Sequence, residues 1–277
     1  MSNVTLEQML EAGVHFGHQT FRWNPKMKPF IFDDRDGVHI IDLTKTERKL
    51  KEALGFVAKI AKQEELLLLV STKRQAGDII RNLAKETNLP YVSDHWPGGL
   101  LTNFSTMKSR INYLKQLREK VATGSFGDMT KKEIGLLEKE LAKLEKSFGG
   151  LDNLNKLPGA IFVVDVIRER IAVKEAIKLG IPVIAMVDTN ADPTDIDYVI
   201  PSNDDAKNGI ILISHAIADT FVKNYKLSQD DKSVSEKVEG EDGAPLISDD
   251  ETEVVEKEVE AKAKPKKKIV KKIIKEE

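Results

Sequence analysis

The sequence predicts an α/β fold: a parallel sheet flanked by helices, with an antiparallel helical hairpin inserted into it. Three observations lead there. Short apolar runs of strand length alternate with helical patterns along residues 1–227, the order expected of a parallel sheet covered on both faces. The run Leu66–Val70, LLLLV, is apolar at every position, as a strand buried on both sides must be. Between Asn103 and Phe148 the alternation gives way to two long patterns whose apolar residues step by three or four.

The elements follow in chain order. The opening stretch GVHFGHQTFRWNPKMKPFIF, Gly13–Phe32, carries Pro25 and Pro29, which predict an extended, irregular surface arm. After GVHIIDL comes a helix that Thr44 could cap, with Leu50, Leu54, Val57, Ile60 and Ala61 as its apolar stripe. The strand LLLLVS, the helix KRQAGDIIRNLAKETN and the short strand PYVSD come next. In the inserted hairpin, Met107, Ile111, Leu114 and Leu117 or Val121 form one seam and Ile134, Leu137, Leu141 and Leu144 the other. Seams this narrow predict helices packed mainly on each other. The strand–helix alternation then resumes with AIFVVDV, a helix closed by Gly180, the strands IPVIAMVD and DYVIP, and the helix AKNGIILISHAIADTFVKNY.

This reading divides the chain into a sheet domain, residues 1–102 and 149–227, a hairpin insertion, residues 103–148, and a charged tail, residues 228–277. The tail has few aromatics and dense blocks of first acidic and then basic residues, so disorder is expected of it. No apolar run approaches the roughly 20 residues that span a bilayer, and the first residues lack a signal-peptide layout. No membrane partner and a cytoplasmic location are expected. The absence of cysteine removes disulfides, thiolate metal sites and cysteine nucleophiles. Net charge is −2, yet residues 1–120 carry 19 Lys+Arg against 14 Asp+Glu. The basic excess lies at the front, which favours a polyanionic partner.

Catalytic signatures are sparse. Neither GxGxxG nor GxxxxGK[ST] occurs, and no Ser or His stands in a hydrolase pattern. Gly98 and Gly99 in HWPGGLLTN would make a tight turn whose backbone N–H groups could face a phosphate. Asp165 and Asp188 end strands and Asp205 lies in an adjoining loop, so these three are candidate Mg²⁺ ligands. A Mg²⁺-dependent enzyme is accordingly one alternative function, and a coiled-coil docking scaffold is another. His15 and His18 supply only half of a zinc site.

The same residues suit nucleic acid better. Arg22, Lys26 and Lys28 offer cations for phosphates, while Trp23, His15 and His18 offer flat faces or donors for bases and riboses. Lys73 and Arg74 follow the first buried strand, and His95 and Trp96 follow the next. On the hairpin, Asn103, Lys108 and Arg110 extend this candidate surface, with Lys115, Arg118 and Lys120 close by.

Four motifs in series sharpen the reading. LEQMLEAGVHFGHQTFRWNPKMKPFIF, STKRQA at Ser71–Ala76, WPGGLLTNF at Trp96–Phe104 and PGAIFVVDVIRERIAVKEAIKLGIPVIAMVDTNADP at Pro158–Pro193 resemble the bacterial and organellar type of small-subunit ribosomal protein two. The resemblance implies a flavodoxin-like sheet, a protruding coiled-coil hairpin and a non-enzymatic role with no required cofactor and no small-molecule substrate. It also implies binding to small-subunit ribosomal RNA between head and body, on a cytoplasmic or organellar ribosome. Neighbouring ribosomal proteins are implied as partners, in bacteria including the large multi-domain RNA-binding protein one of the subunit.

Overall fold

A computed structural model describes residues 4–127 and 129–241. The chain opens with α1 (Leu6–Glu11), started by a capping box in which Thr5 accepts from the Gln8 N–H and the Gln8 side chain accepts from the Thr5 N–H. The next stretch is more ordered than an extended arm. β1 (Phe16–Gln19), β2 (Ile31–Arg35) and β3 (Val38–Ile41) form a small antiparallel sheet in the order β1-β3-β2. Pro25–Phe30 between β1 and β2 is a 3₁₀ helix capped by Asn24. Pro25 stands at the first turn of that helix, where a missing N–H costs nothing. β2 and β3 turn through Asp36 and Gly37, both at positive φ, the backbone required by a two-residue hairpin of matching twist.

α2 (Leu43–Lys62) follows, capped by Asp42 rather than Thr44; the Asp42 carboxylate accepts from the N–H groups of Thr44 and Lys45. Then come β4 (Leu67–Val70), α3 (Gly77–Thr87), β5 (Tyr91–Val92), α4 (Phe104–Thr123), α5 (Lys131–Phe148), β6 (Ala160–Val164), α6 (Arg170–Leu179), β7 (Val183–Val187), β8 (Tyr198–Pro201) and α7 (Lys207–Glu241). The described residues up to Val234 form one compact unit. α7 runs to Glu241, and the rest of the tail expected to be disordered, residues 242–277, lies outside the described residues.

The five main strands are parallel and ordered β5-β4-β6-β7-β8. This is the flavodoxin-like order, whose ligand crevice opens at the carboxyl ends of the two strands where the winding reverses, here β4 and β6. Successive residues of each strand serve opposite cores. Leu67, Leu69, Phe162, Val164, Ile184 and Met186 join α2, α3 and α7 on one side. Leu68, Val70, Ile161, Val163, Ala185 and Val187 join α6 and the base of the α4–α5 pair on the other. Strands apolar at every position are the direct consequence.

The inserted helices keep the seam read from sequence: Ile111, Leu114 and Leu117 are buried. The two helices pack on each other, and the base of their seam also continues into the sheet domain. Ile111, Leu114 and Phe148, with Leu141 and Leu144 packed alongside, belong to the second core of the sheet domain.

Candidate nucleic-acid interface

At the carboxyl end of β4 the chain turns through Ser71–Ala76 toward α3 and carries Lys73 into the protein. Lys73, 8 % exposed, is no free cation for a phosphate. Its ammonium lies 2.6 Å from Oδ1 of Asp204, 2.7 Å from Oδ1 of Asp205 and 3.4 Å from Oδ2 of Asp165. Burial alone would favour the neutral amine, but these carboxylates outweigh it and hold Lys73 charged. One ammonium does not balance so many carboxylates. Burial, together with Asp188 and Asp165, pushes Asp204 up to about 7 in spite of Lys73.

His18 closes the other side of this cluster. Its Nδ1 is 3.1 Å from Oδ2 of Asp188 and its Nε2 3.5 Å from Oδ2 of Asp205. Its backbone N–H donates to Oγ1 of Thr189 at 2.8 Å. The hydrogen bond to Asp188 raises its pKa against the opposing effect of burial, with the charges of Asp188, Asp204 and Asp205 adding to the rise. Gly17 next to it must be glycine, because a Cβ there would stand 2.6 Å from Cγ2 of Thr189. The expected carboxylate trio is therefore rearranged: Asp165 and Asp205 meet on Lys73, and Asp188 meets His18. Among the described residues, the potential metal-ligand atoms within 4.8 Å of one another come from His18, Asp188 and Asp204. Asp204 stands in sequence beside the candidate Asp205, with no local signal that sets it apart.

The glycine turn after β5 is also filled from within. Glu175 of α6 reaches into Trp96–Thr102, where its Oε1 accepts from the Trp96 indole N–H at 3.1 Å and the Gly99 N–H at 2.7 Å. Oε2 accepts from the N–H groups of Leu101 and Thr102 at 3.0 and 3.1 Å and from the Thr102 hydroxyl at 3.2 Å. Burial would raise the Glu175 pKa, but these donors more than offset it and hold the carboxyl below its usual range. Gly99, at φ +84°, thus points its N–H at an internal carboxylate. Trp96, read from sequence as a surface for bases, is 5 % exposed and part of the second core. His95, Gly98 and Asn103 of the same turn stay exposed. A second buried carboxylate on α6's leading edge, Glu169, accepts from the N–H and hydroxyl of Thr72 at 2.5 and 2.7 Å. Burial pushes its pKa up against those bonds.

The opening segment divides in the same way. Arg22 is exposed, with its guanidinium 5.4 Å from the centre of the Phe21 ring, and Lys28 is exposed. Lys26 is exposed but lies 2.7 Å from Asp192, whose pKa it lowers to about 2 together with Thr194. Trp23 is partly buried, its ring 5.4 Å from that of His39. His15 is partly buried, and burial lowers its pKa. Arg74 is exposed and takes part in no ion pair among the described residues.

On the inserted helices, Arg110 is exposed and Lys108 donates to the carbonyl of Asn155 at 2.8 Å. Lys115 donates likewise to Asp152. Arg118 is a clasp rather than a surface cation: it binds both oxygens of Glu145, and its NH1 lies 2.6 Å from Asp152. Exposed cations therefore persist at Arg22, Lys28, Arg74 and Arg110, while Lys73 and Arg118 are spent on the fold.

Comparison with known proteins places this architecture. A family model described as Ribosomal protein S2 matches residues 9–224. The small ribosomal subunit protein uS2 of Geotalea uraniireducens (strain Rf4) is 52% identical over 246 residues, covering 87% of this chain and 96% of that protein. The small ribosomal subunit protein uS2 of Koribacter versatilis (strain Ellin345) is 49% identical over 247 residues, covering 89% of this chain and 81% of that protein.

Proposed function

The chain belongs to the ribosomal protein S2 family, and from that premise we propose that it is a structural, non-catalytic constituent of the small ribosomal subunit that binds small-subunit ribosomal RNA. The observation that carries the RNA contact is the set of exposed cations left over once the internal ion pairs are formed: Arg22 and Lys28 on the opening segment, Arg74 after β4 and Arg110 on α4. Cations free of internal partners release the counterions that drive binding to a phosphate backbone. Phe21 and Trp23 beside Arg22 add ring faces of the kind that stack on unpaired bases.

The finer placement, between head and body and next to the large multi-domain RNA-binding protein one, follows from the motif resemblance. Among the described residues, no helix is long and apolar enough to cross a membrane. A Mg²⁺ ion held by the strand-end carboxylates is a weaker second reading, because the Lys73 ammonium already stands against Asp165, Asp204 and Asp205. A cation there would have to enter on the His18–Asp188 side.

Sedimentation of tagged protein tests the main reading. The chain should run with small subunits in a sucrose gradient; a chain that stays at the top of the gradient would refute it.

A further inference from the structure

α6 sorts its charges by face. Its two carboxylates, Glu169 at the leading edge and Glu175, are buried and turned inward. Its cations Arg170, Lys174 and Lys178 are all exposed, and none makes an ion pair among the described residues. They recur every four residues, so they run along one face of the helix at a rise of about 6 Å per step. None of the helix's own acids lies on that face; the exposed apolar neighbours are Ile167, Ile171, Ile177 and Leu179.

The inward carboxylates add a second observation. Glu169 fastens Thr72, in the loop that carries Arg74, and Glu175 fastens the Trp96–Thr102 turn that carries Gly98. Arg168, whose Nε donates to the Thr72 hydroxyl at 3.1 Å, joins the helix to the Arg74 loop on the outside. α6 therefore fixes the Arg74 loop of the proposed RNA surface and, through Glu175, the neighbouring turn in which Gly98 stays exposed.

We infer that the outer face of α6 is itself an RNA-contacting ridge, with Arg170, Lys174 and Lys178 on backbone phosphates and with Glu169 and Glu175 as positioning residues for the flanking loops. The inference rests on the ribosomal reading above. A phosphate backbone suits the ridge because three unpaired charges in line match a line of like charges, and sequence-independent contact needs nothing more.

The full-length chain is bound to small ribosomal subunits stripped of their own copy, and affinity is followed against salt. Replacing Arg170, Lys174 and Lys178 together by Gln should lower the slope of log affinity against log salt by about 2 to 3, since each phosphate contact contributes roughly 0.9. Replacing Lys59, Lys62 and Lys85 by Gln removes the same charge elsewhere and should leave the slope unchanged. An equal fall in both would reduce the effect to net charge and overturn the inference, as would no fall in the first. If the wild-type chain fails to bind the stripped subunits, the ribosomal reading itself fails.

The cysteine-free sequence gives an independent readout that a misfolded triple variant would not spoil. An iron chelate tethered to K174C should cut small-subunit ribosomal RNA locally, and the same chelate on K59C should not. A K174C conjugate that joins the subunits without cutting RNA would overturn the inference. A triple variant that keeps its RNA binding but loses binding to anionic phospholipid vesicles would assign the ridge to a membrane surface instead.

Discussion

The ammonium of Lys73 lies 2.6 Å from Oδ1 of Asp204, across a gap of 131 residues in sequence. The contact ties the loop after β4 to the loop after β8, and both groups are buried. Replacing Lys73 by Met removes the ammonium hydrogen-bonded to Asp204 and should destabilise the protein by about 3–5 kcal/mol. Urea unfolding measures this. Adding Asp204→Asn to the variant should recover part of the loss, and a purely additive double variant would show that the pair is not coupled.

The same cluster predicts a pH dependence. Asp204, at about 7 in the folded chain against 3.8 ordinarily, binds an extra proton on folding between those values, so its contribution to stability falls as pH rises through that window. His18 acts in the same sense. Its raised pKa gives stability that is complete below its ordinary 6.5 and lost as pH rises through the folded value. Stability should therefore decline from about pH 4 to about pH 7 through Asp204, with a further fall above pH 6.5 through His18, and Asp204→Asn should flatten the first part of the decline. An unchanged profile in that variant would remove Asp204 from the explanation.

Glu175→Ala removes the acceptor for the Trp96 indole and for three backbone N–H groups. Buried donors left without a partner cost about 1–3 kcal/mol each, so a loss of at least about 3 kcal/mol is expected. In a Trp23→Phe background the Trp96 emission should shift to the red. Because the Glu175 pKa is depressed, its contribution is present above the ordinary carboxylate pKa of 4.5 and lost as pH falls through the lower, folded value. Acid unfolding of the alanine variant should lack that component.

Glycines separate by what a side chain would meet. A Cβ on Gly150 would stand 2.4 Å from the carbonyl oxygen of Tyr91, a backbone atom that cannot swing aside. Gly150→Ala should cost about 1–3 kcal/mol. Gly55 in α2 and Gly135 in α5 have nothing within 4 Å of the added carbon. Alanine at either helical position should stabilise by about 0.5–1 kcal/mol, read as a rise in thermal midpoint.

The sheet domain was legible because its strands are apolar at every position and its helices carry one stripe each, patterns that local sequence preserves. The N-terminal sheet was not read, since β2 is exposed along most of its length and shows no alternation. The Asp36-Gly37 pair was the one signal that could have announced it. Trp96 and Lys73 were read as surface residues for a different reason. Their partners inside the protein, the second core and Glu175 for Trp96 and Asp204 for Lys73, are remote in sequence and brought near by the order of the parallel strands. Arg22, Lys28, Arg74 and Arg110 required no such partner, and they remain exposed.

β5 and β6 flank the same strand, β4, and the inserted helices leave the chain between them. Among the described residues, no side chain from Arg118 to Glu140 belongs to either core. The outer half of the insertion is thus a spoke whose reach can be lengthened or trimmed by whole helical turns while the hub keeps its register, so relatives and engineered versions can change what the tip touches without refolding the body.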